Sequence, residues 1–179
     1  MSQIGNVYGM ALYGLAKDEN LSDIVLQELA VLEQSFRAEP QFLRLMAAPN
    51  VPIEERIHIL DDCFRGKINQ YVLNFMKILT EKGVIKAFSD CACTYREQYN
   101  KDHNILSVTA VTAIPLSEEQ VRRLAEKLSS ITGKTAEITN QVDPDCLGGV
   151  RLDYDGKRID GSVANRLETV RKMLKNTVL

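Results

Sequence analysis

Apolar residues in this chain keep one period up to about residue 103 and another from residue 105, and few folds can carry both. The first stretch is helical throughout. "IGNVYGMALYGLAK" at 4–17 sets Ile4, Val7, Tyr8, Ala11, Leu12 and Leu15 at helix spacing. A second helix is expected to start near Ser22, read as its N-cap, with Ile24, Leu26, Leu29, Leu32 and Phe36 on its apolar side. Pro40 closes it. Further helices are expected at 40–47, 53–65, 68–82 and 84–101, with a break in "APNVP" at 48–52.

After "KDHN" the chain alternates. "ILSVTAVTA" at 105–113 is rich in β-branched residues and reads as a strand. Pro115 ends it, and Ser117 caps "SEEQVRRLAEKLSSIT", with Glu119 and Gln120 near the capping-box position. Gly133 closes that helix. Strands are expected at 135–142, 148–153 and 157–160, with a hairpin turn at Asp155-Gly156 and a last helix over 163–176. The expected fold class is α+β: helices over 1–104, then a small β-α-β-β-β-α domain over 105–179.

Composition removes several functions. The net charge of −2 gives no footprint for nucleic acid and no pull toward an anionic membrane. No apolar run reaches the length of a spanning helix. The opening "MSQIGNVYGM" has neither a basic region before an apolar core nor an arginine, so it reads as neither secretory signal nor transit peptide. The four cysteines form no C-x-x-C pair and read as reduced thiols.

Two segments imitate chemical sites. In "TGKT" at 132–135 the glycine and lysine close a helix and enter a strand, whereas a phosphate loop opens a helix after a strand; Leu128 also stands where the loop's first glycine belongs. In "DYDGKRIDGS" at 153–162, a calcium loop begun at Asp153 would need glycine and glutamate where Arg158 and Ala164 stand. Asp160 and Ser162 are expected instead to start the last helix. His58 and His103 lie far apart and are expected to be exposed. Cys91 and Cys93 on one helix point roughly 200° apart, poorly placed to share a metal. No cofactor and no catalytic set is expected.

Two helices are too apolar for a small bundle. Over 68–79, apolar side chains cover an arc of roughly 220°. The first helix is similarly wide and carries Gly5 and Gly9 one turn apart, where another helix could come close. Either both helices are central to their own domain, or their surplus receives an amphipathic helix from a partner.

Four segments, in order along the whole chain, resemble the delta subunits of bacterial F-type ATP synthases, relatives of the mitochondrial oligomycin-sensitivity-conferring protein. "VYGMALYGLA" is similar to that family's opening V-Y-A-x-A-L-[FY]-x-x-A. "NFMKILTEKG" is similar to N-F-L-x-L-L-x-x-[NK]-[GR], and "VTAVTAIPLSEEQ" to the strand ending T-A-x-P-L-[ST]. "VDPDCLGGVRLDYDGKRIDGSVANRLETVRKML" resembles V-D-P-x-[LI]-[IL]-G-G followed by D-x-S-x-x-x-[RK]-L. Asn74, Gly148, Gly149, Asp160, Ser162 and Leu167 are the signature positions. Gly9, Cys146 and Asp153 depart from the usual residues.

The resemblance implies a non-catalytic stator subunit of the peripheral stalk, at the cytoplasmic face of the plasma membrane. It would join the catalytic alpha/beta head to the membrane-anchored stalk, touching the membrane only through the complex, so that proton-driven rotation is coupled to ATP synthesis. It also implies that residues 1–104 form a six-helix bundle that receives the N-terminal helix of an alpha subunit, between its first and fifth helices. The implied contacts are Val7, Tyr8, Ala11, Leu12 and Leu15 with Val72, Phe75, Met76 and Leu79, some of which must instead be core. Residues 105–179 would meet the b subunits. The alternatives are a nucleotide-binding protein or enzyme using "TGKT", and an unrelated helical adaptor.

Overall fold

Where each helix begins follows from local chemistry. The computed structural model describes residues 3–154, 156–165 and 167. Its first part holds α1 (Gln3–Asp18), α2 (Ser22–Ala38), α3 (Pro40–Met46), α4 (Ile53–Phe64), α5 (Gln70–Glu81) and α6 (Phe88–Asp102), with a 3-10 turn at Ile85–Ala87 ahead of α6. Pro40 opens α3 in its first turn, where a missing N–H costs nothing. Asn69 caps α5, accepting from the Tyr71 N–H at 2.9 Å, so Ile68 lies outside the helix expected from 68. Ser22 is not an N-cap. It is the first helical residue, behind Leu21, because Asn20 turns left-handed (φ 57°) and the Leu21 N–H closes back on the Ala16 carbonyl at 2.8 Å.

The chain divides into two compact units, Met1–Tyr99 and Asn100–Leu179, within the last turn of α6. The first unit surrounds one apolar core. All five phenylalanines of the chain meet there. Phe36 stacks on Phe42 at 5.5 Å between centroids and stands edge-on to Phe88 at 5.0 Å, while Phe75 reaches Phe88 at 6.3 Å. Polar contacts tie the helices around this core. Both oxygens of Glu28 accept from the Asn69 N–H, at 2.9 and 3.0 Å, and burial raises the Glu28 carboxyl above the usual range. Buried Arg56 donates to the Met46 carbonyl at 2.8 Å and ends α3.

Lys77 on α5 reaches Asp61 on α4 at 2.7 Å. That hydrogen bond, with Arg65 beside it, holds the Asp61 carboxyl below its ordinary value. A depressed folded-state value means the contribution is whole above the unfolded value, about 3.9, and is lost as pH falls through the folded one. Lys77→Met should therefore lower the thermal midpoint at neutral pH and leave a shallower loss on acidification. Melting curves from pH 7 to pH 2 check this, and parallel curves for the two proteins would refute it.

The second unit is a four-stranded sheet, β1 (Ile105–Thr112), β2 (Thr135–Val142), β3 (Val150–Tyr154) and β4 (Lys157–Asp160), with α7 (Glu118–Thr132) between the first two strands. The strand order is β2-β1-β3-β4. β1 and β2 run parallel, which requires the crossover that α7 supplies, and β1–β3 and β3–β4 are antiparallel. Leu106, Val108, Ala110 and Leu152 form the core under Leu124 and Leu128 of α7. The capping box at Ser117 is complete: the Gln120 N–H donates to Ser117, and the Ser117 N–H donates to the Gln120 side chain. Asn140 locks the start of α7 to the sheet, accepting from the Leu116 N–H and donating to the Ala110 carbonyl. Residues 163–165 and 167 are helical; Asp155 and the rest of the helix expected to 176 lie outside the described residues. No helix among the described residues is long and apolar enough to cross a membrane.

Candidate partner-binding faces

On α1 the two apolar faces separate cleanly. Gly5, Gly9, Leu12, Tyr13 and Ala16 are buried. At about 100° per residue they share one side of the helix. At Gly9 α1 lies tight against α6: a Cβ there would stand 2.6 Å from the Cys91 carbonyl oxygen and 2.8 Å from the Thr94 Cβ. One turn earlier, a Cβ on Gly5 would meet the Asp90 Cβ at 2.6 Å. The helix that the two glycines admit is thus α6 of the same unit. Asn6 accepts from the Thr94 hydroxyl at 3.1 Å, and Tyr13 stands edge-on to Tyr95, which fix the register of the pair.

The opposite side of α1 faces out. Val7 is 61% exposed and Leu15 42%, with Ile4, Met10 and Ala11 also exposed and Tyr8 half-buried between them. These residues span roughly 160° of the helix with no charge among them. A surface helix ordinarily turns polar residues that way.

On α5 the outcome is different. Val72, Leu73, Phe75, Met76, Leu79 and Thr80 are all buried in the first unit's core. Only Ile78, exposed, and Tyr71, half-buried, carry apolar surface outward. Of the nine residues read as partner contacts, Leu12, Val72, Phe75, Met76 and Leu79 are therefore core; Val7, Tyr8, Ala11 and Leu15 lie on the outward face of α1. Met10 and Ile4 are exposed on that face of α1 and stand outside the nine, and Ile78 is exposed on α5. Their place was in the helical projection, but only the packing of α1 on α6 shows which arc is spare.

The signature residues of the second unit meet at one turn. Gly149 (φ 78°) would put a Cβ 2.6 Å from the Gly161 carbonyl oxygen, so two backbone segments cross there with no room for a side chain. The Gly161 N–H donates to the Val150 carbonyl and the Val163 N–H to the Gly148 carbonyl, both at 3.0 Å. Asp160 accepts from the Ser162 N–H at 2.9 Å; the Ser162 side chain first, and then that N–H, hold its carboxyl below the usual range, and the Ser162 hydroxyl accepts from the Asn165 N–H. Asp160 thus makes the turn before the helix, and Ser162 is the cap. Asp153, across the hairpin, pairs with Arg158 at 2.7 Å. The β3–β4 register pairs Tyr154 with Lys157, leaving two residues in the turn. The third strand begins at Val150 rather than 148 because Leu147, Gly148 and Gly149 all have positive φ. Asn74 is exposed, with Gln70 donating to it, and Leu167 is exposed.

"TGKT" sits as its spacing predicts. Gly133 (φ 69°) is the left-handed cap of α7, and Thr135 opens β2, so no following helix presents its N–H groups to a phosphate. Cys91 is buried, and burial pushes its thiol up to about 11; Cys93, two residues on, is exposed. Among the described residues no group of three His, Cys, Asp or Glu side chains is placed to hold a metal ion.

The chain thus joins a helical unit, its first helix sealed by glycines on one side and apolar on the other, to a four-stranded sheet unit. Residues 4–174 match the family described as ATP synthase delta (OSCP) subunit, and the chain belongs to that family. Its members are components of the peripheral stalk of F-type ATP synthases. The chain is 31% identical over 176 residues to ATP synthase subunit delta of Clostridioides difficile, covering 98% of this chain and 97% of that one. It is 32% identical to the same subunit of Alkaliphilus oremlandii, over 96% of each chain. The fold is similar to that of a chain in the cryo-EM structure of the Toxoplasma gondii mitochondrial ATP synthase hexamer, with TM-score 0.77 and 21% identity over 97% of this chain and 98% of that one.

Proposed function

We propose that the protein is the non-catalytic stator link of the synthase, tying the alpha/beta head to the membrane-anchored stalk so that proton-driven rotation does work on nucleotide. The N-terminal unit, a six-helix bundle, takes the N-terminal helix of an alpha subunit along the outward face of α1. The C-terminal unit takes the b subunits. The protein sits at the cytoplasmic face of the bacterial plasma membrane and meets the membrane only through the complex. The observation that supports this best is the second apolar face of α1. A bundle with a filled core has no internal use for it, and an amphipathic helix fits it. A stator needs affinity and stiffness rather than chemistry, and burying apolar side chains on a preformed face supplies both.

Reconstitution tests the reading. Synthase stripped of this subunit, in membrane vesicles, should pump protons on ATP hydrolysis only after the purified chain is added back, while hydrolysis itself continues without it. Equal pumping with and without the chain would overturn the assignment.

A further inference from the structure

We infer that two copies of the free chain pair through the edge of the C-terminal sheet, β2 against β2, about a twofold axis at Thr139. The strand order leaves β2 and β4 as the edges. β4 is blunted: it has four residues, and Lys157, Arg158 and Asp160 among them are charged. β2 has eight residues and a single charge, Glu137. Nothing in the strand itself guards that edge against another strand.

The ladder with β1 fixes which backbone groups are spare. The Thr135 N–H donates to the Asn104 carbonyl at 2.9 Å and the Asp143 N–H to the Thr112 carbonyl at 2.8 Å. In a parallel pair the bonded residues alternate, so the odd-numbered residues of β2 turn their N–H and C=O groups toward β1 and the even-numbered ones turn theirs away. Ser129 of α7 takes the first outward group, accepting from the Ala136 N–H at 3.0 Å. Beyond it, the outward groups of Ile138, Asn140 and Val142 meet no backbone partner among the described residues. A row of free N–H and C=O groups at strand spacing is met in full by one more extended strand.

Charge says which strand. Lys134 stands just before β2, and Asp143 and Asp145 just after it. Among the described residues neither Lys134 nor Asp145 has an ion-pair partner. An antiparallel copy centred on Thr139 brings the Lys134 of each strand to the Asp143 and Asp145 of the other, at both ends of the pair. Glu137 then faces Gln141 and Thr139 faces its own copy, so no like charges meet. Ile138 of each copy exchanges both backbone groups with Asn140 of the other, and the Val142 N–H reaches the Ala136 carbonyl. A parallel copy in register would instead set Glu137 against Glu137 and Lys134 against Lys134. The antiparallel contact is self-complementary and closes at two copies. It is also small, so the pairing is weak and depends on concentration.

Sedimentation equilibrium of the full-length chain, from low to high micromolar concentration, tests this. The parent should pass from monomer to dimer. Thr139→Lys puts two cations across the axis and Thr139→Glu two anions, and each should weaken the pairing about fivefold or more. Thr139 is exposed, so both variants should melt like the parent when dilute. An equimolar mixture of the two should dimerise at least as well as the parent, because the charges across the axis are then opposite. Lys134→Glu, at the flank, should weaken the pairing as well. A parent that stays monomeric throughout would overturn the inference. So would a dimer that survives all three substitutions, or a mixture that pairs no better than either variant alone.

Discussion

Val7→Asp is expected to abolish binding of a peptide of the alpha-subunit N-terminus while the protein stays folded, and Phe75→Asp is expected to unfold the N-terminal unit. Val7 is 61% exposed in the middle of an uncharged apolar stripe, so a carboxylate there is solvated in the free protein. In the complex it would be stripped of water beneath an apolar helix, at a cost of several kcal/mol unless it is paired. Phe75 lies in the phenylalanine cluster against Phe88. Losing the ring costs about 3–5 kcal/mol, and the buried charge adds to that. Far-ultraviolet circular dichroism separates the two outcomes, and calorimetric titration with the peptide measures the first. A folded Val7→Asp that binds like the parent would remove the outward face of α1 from the interface. A stable Phe75→Asp would contradict the core described above.

The second large effect is a change of sign within one helix. Gly9→Ala should destabilise the N-terminal unit by about 1–3 kcal/mol, because the new methyl meets the Cys91 carbonyl oxygen at 2.6 Å and the two backbones must part. Gly14→Ala, in the same helix, should stabilise it by about 0.5–1 kcal/mol, since a Cβ there meets nothing within 4 Å and glycine costs a helix about that much. Urea titrations of the two variants measure both. Equal effects of either sign would mean that α1 does not rest on α6 as described.

The change of period near residue 104, the hairpin at Gly156, the capping box at Ser117 and the helix-closing role of Gly133 could all be read from the chain, because each depends on residues a few positions apart. The start of α2 could not. Ser22 has the right chemistry for a cap, but the left-handed Asn20 and the closure of Leu21 on α1 leave it inside the helix. The division of the nine contact residues was also hidden. A helical projection gives the width of an apolar arc and nothing about its neighbours, so α1 and α5 looked alike. Packing distinguishes them: α5 sinks all of its arc but Ile78 and part of Tyr71 into the core of the first unit, and α1 sinks only the glycine side. The meeting of Gly149 with Gly161 depends on a backbone crossing between segments twelve residues apart, which spacing alone does not show.

The glycine contact has a mechanical side. If α1 holds a partner helix as proposed, a pull on that helix would pass at Gly5 and Gly9 directly into α6. α6 ends at Asp102, and the chain enters β1 at Ile105, a strand hydrogen-bonded on both sides within its sheet. Load taken up at the first helix can therefore reach the interior of the second unit along one short path, without crossing α2 to α5. Those four helices would then brace the path from the side, and softening them should cost the coupling less than loosening α1 from α6.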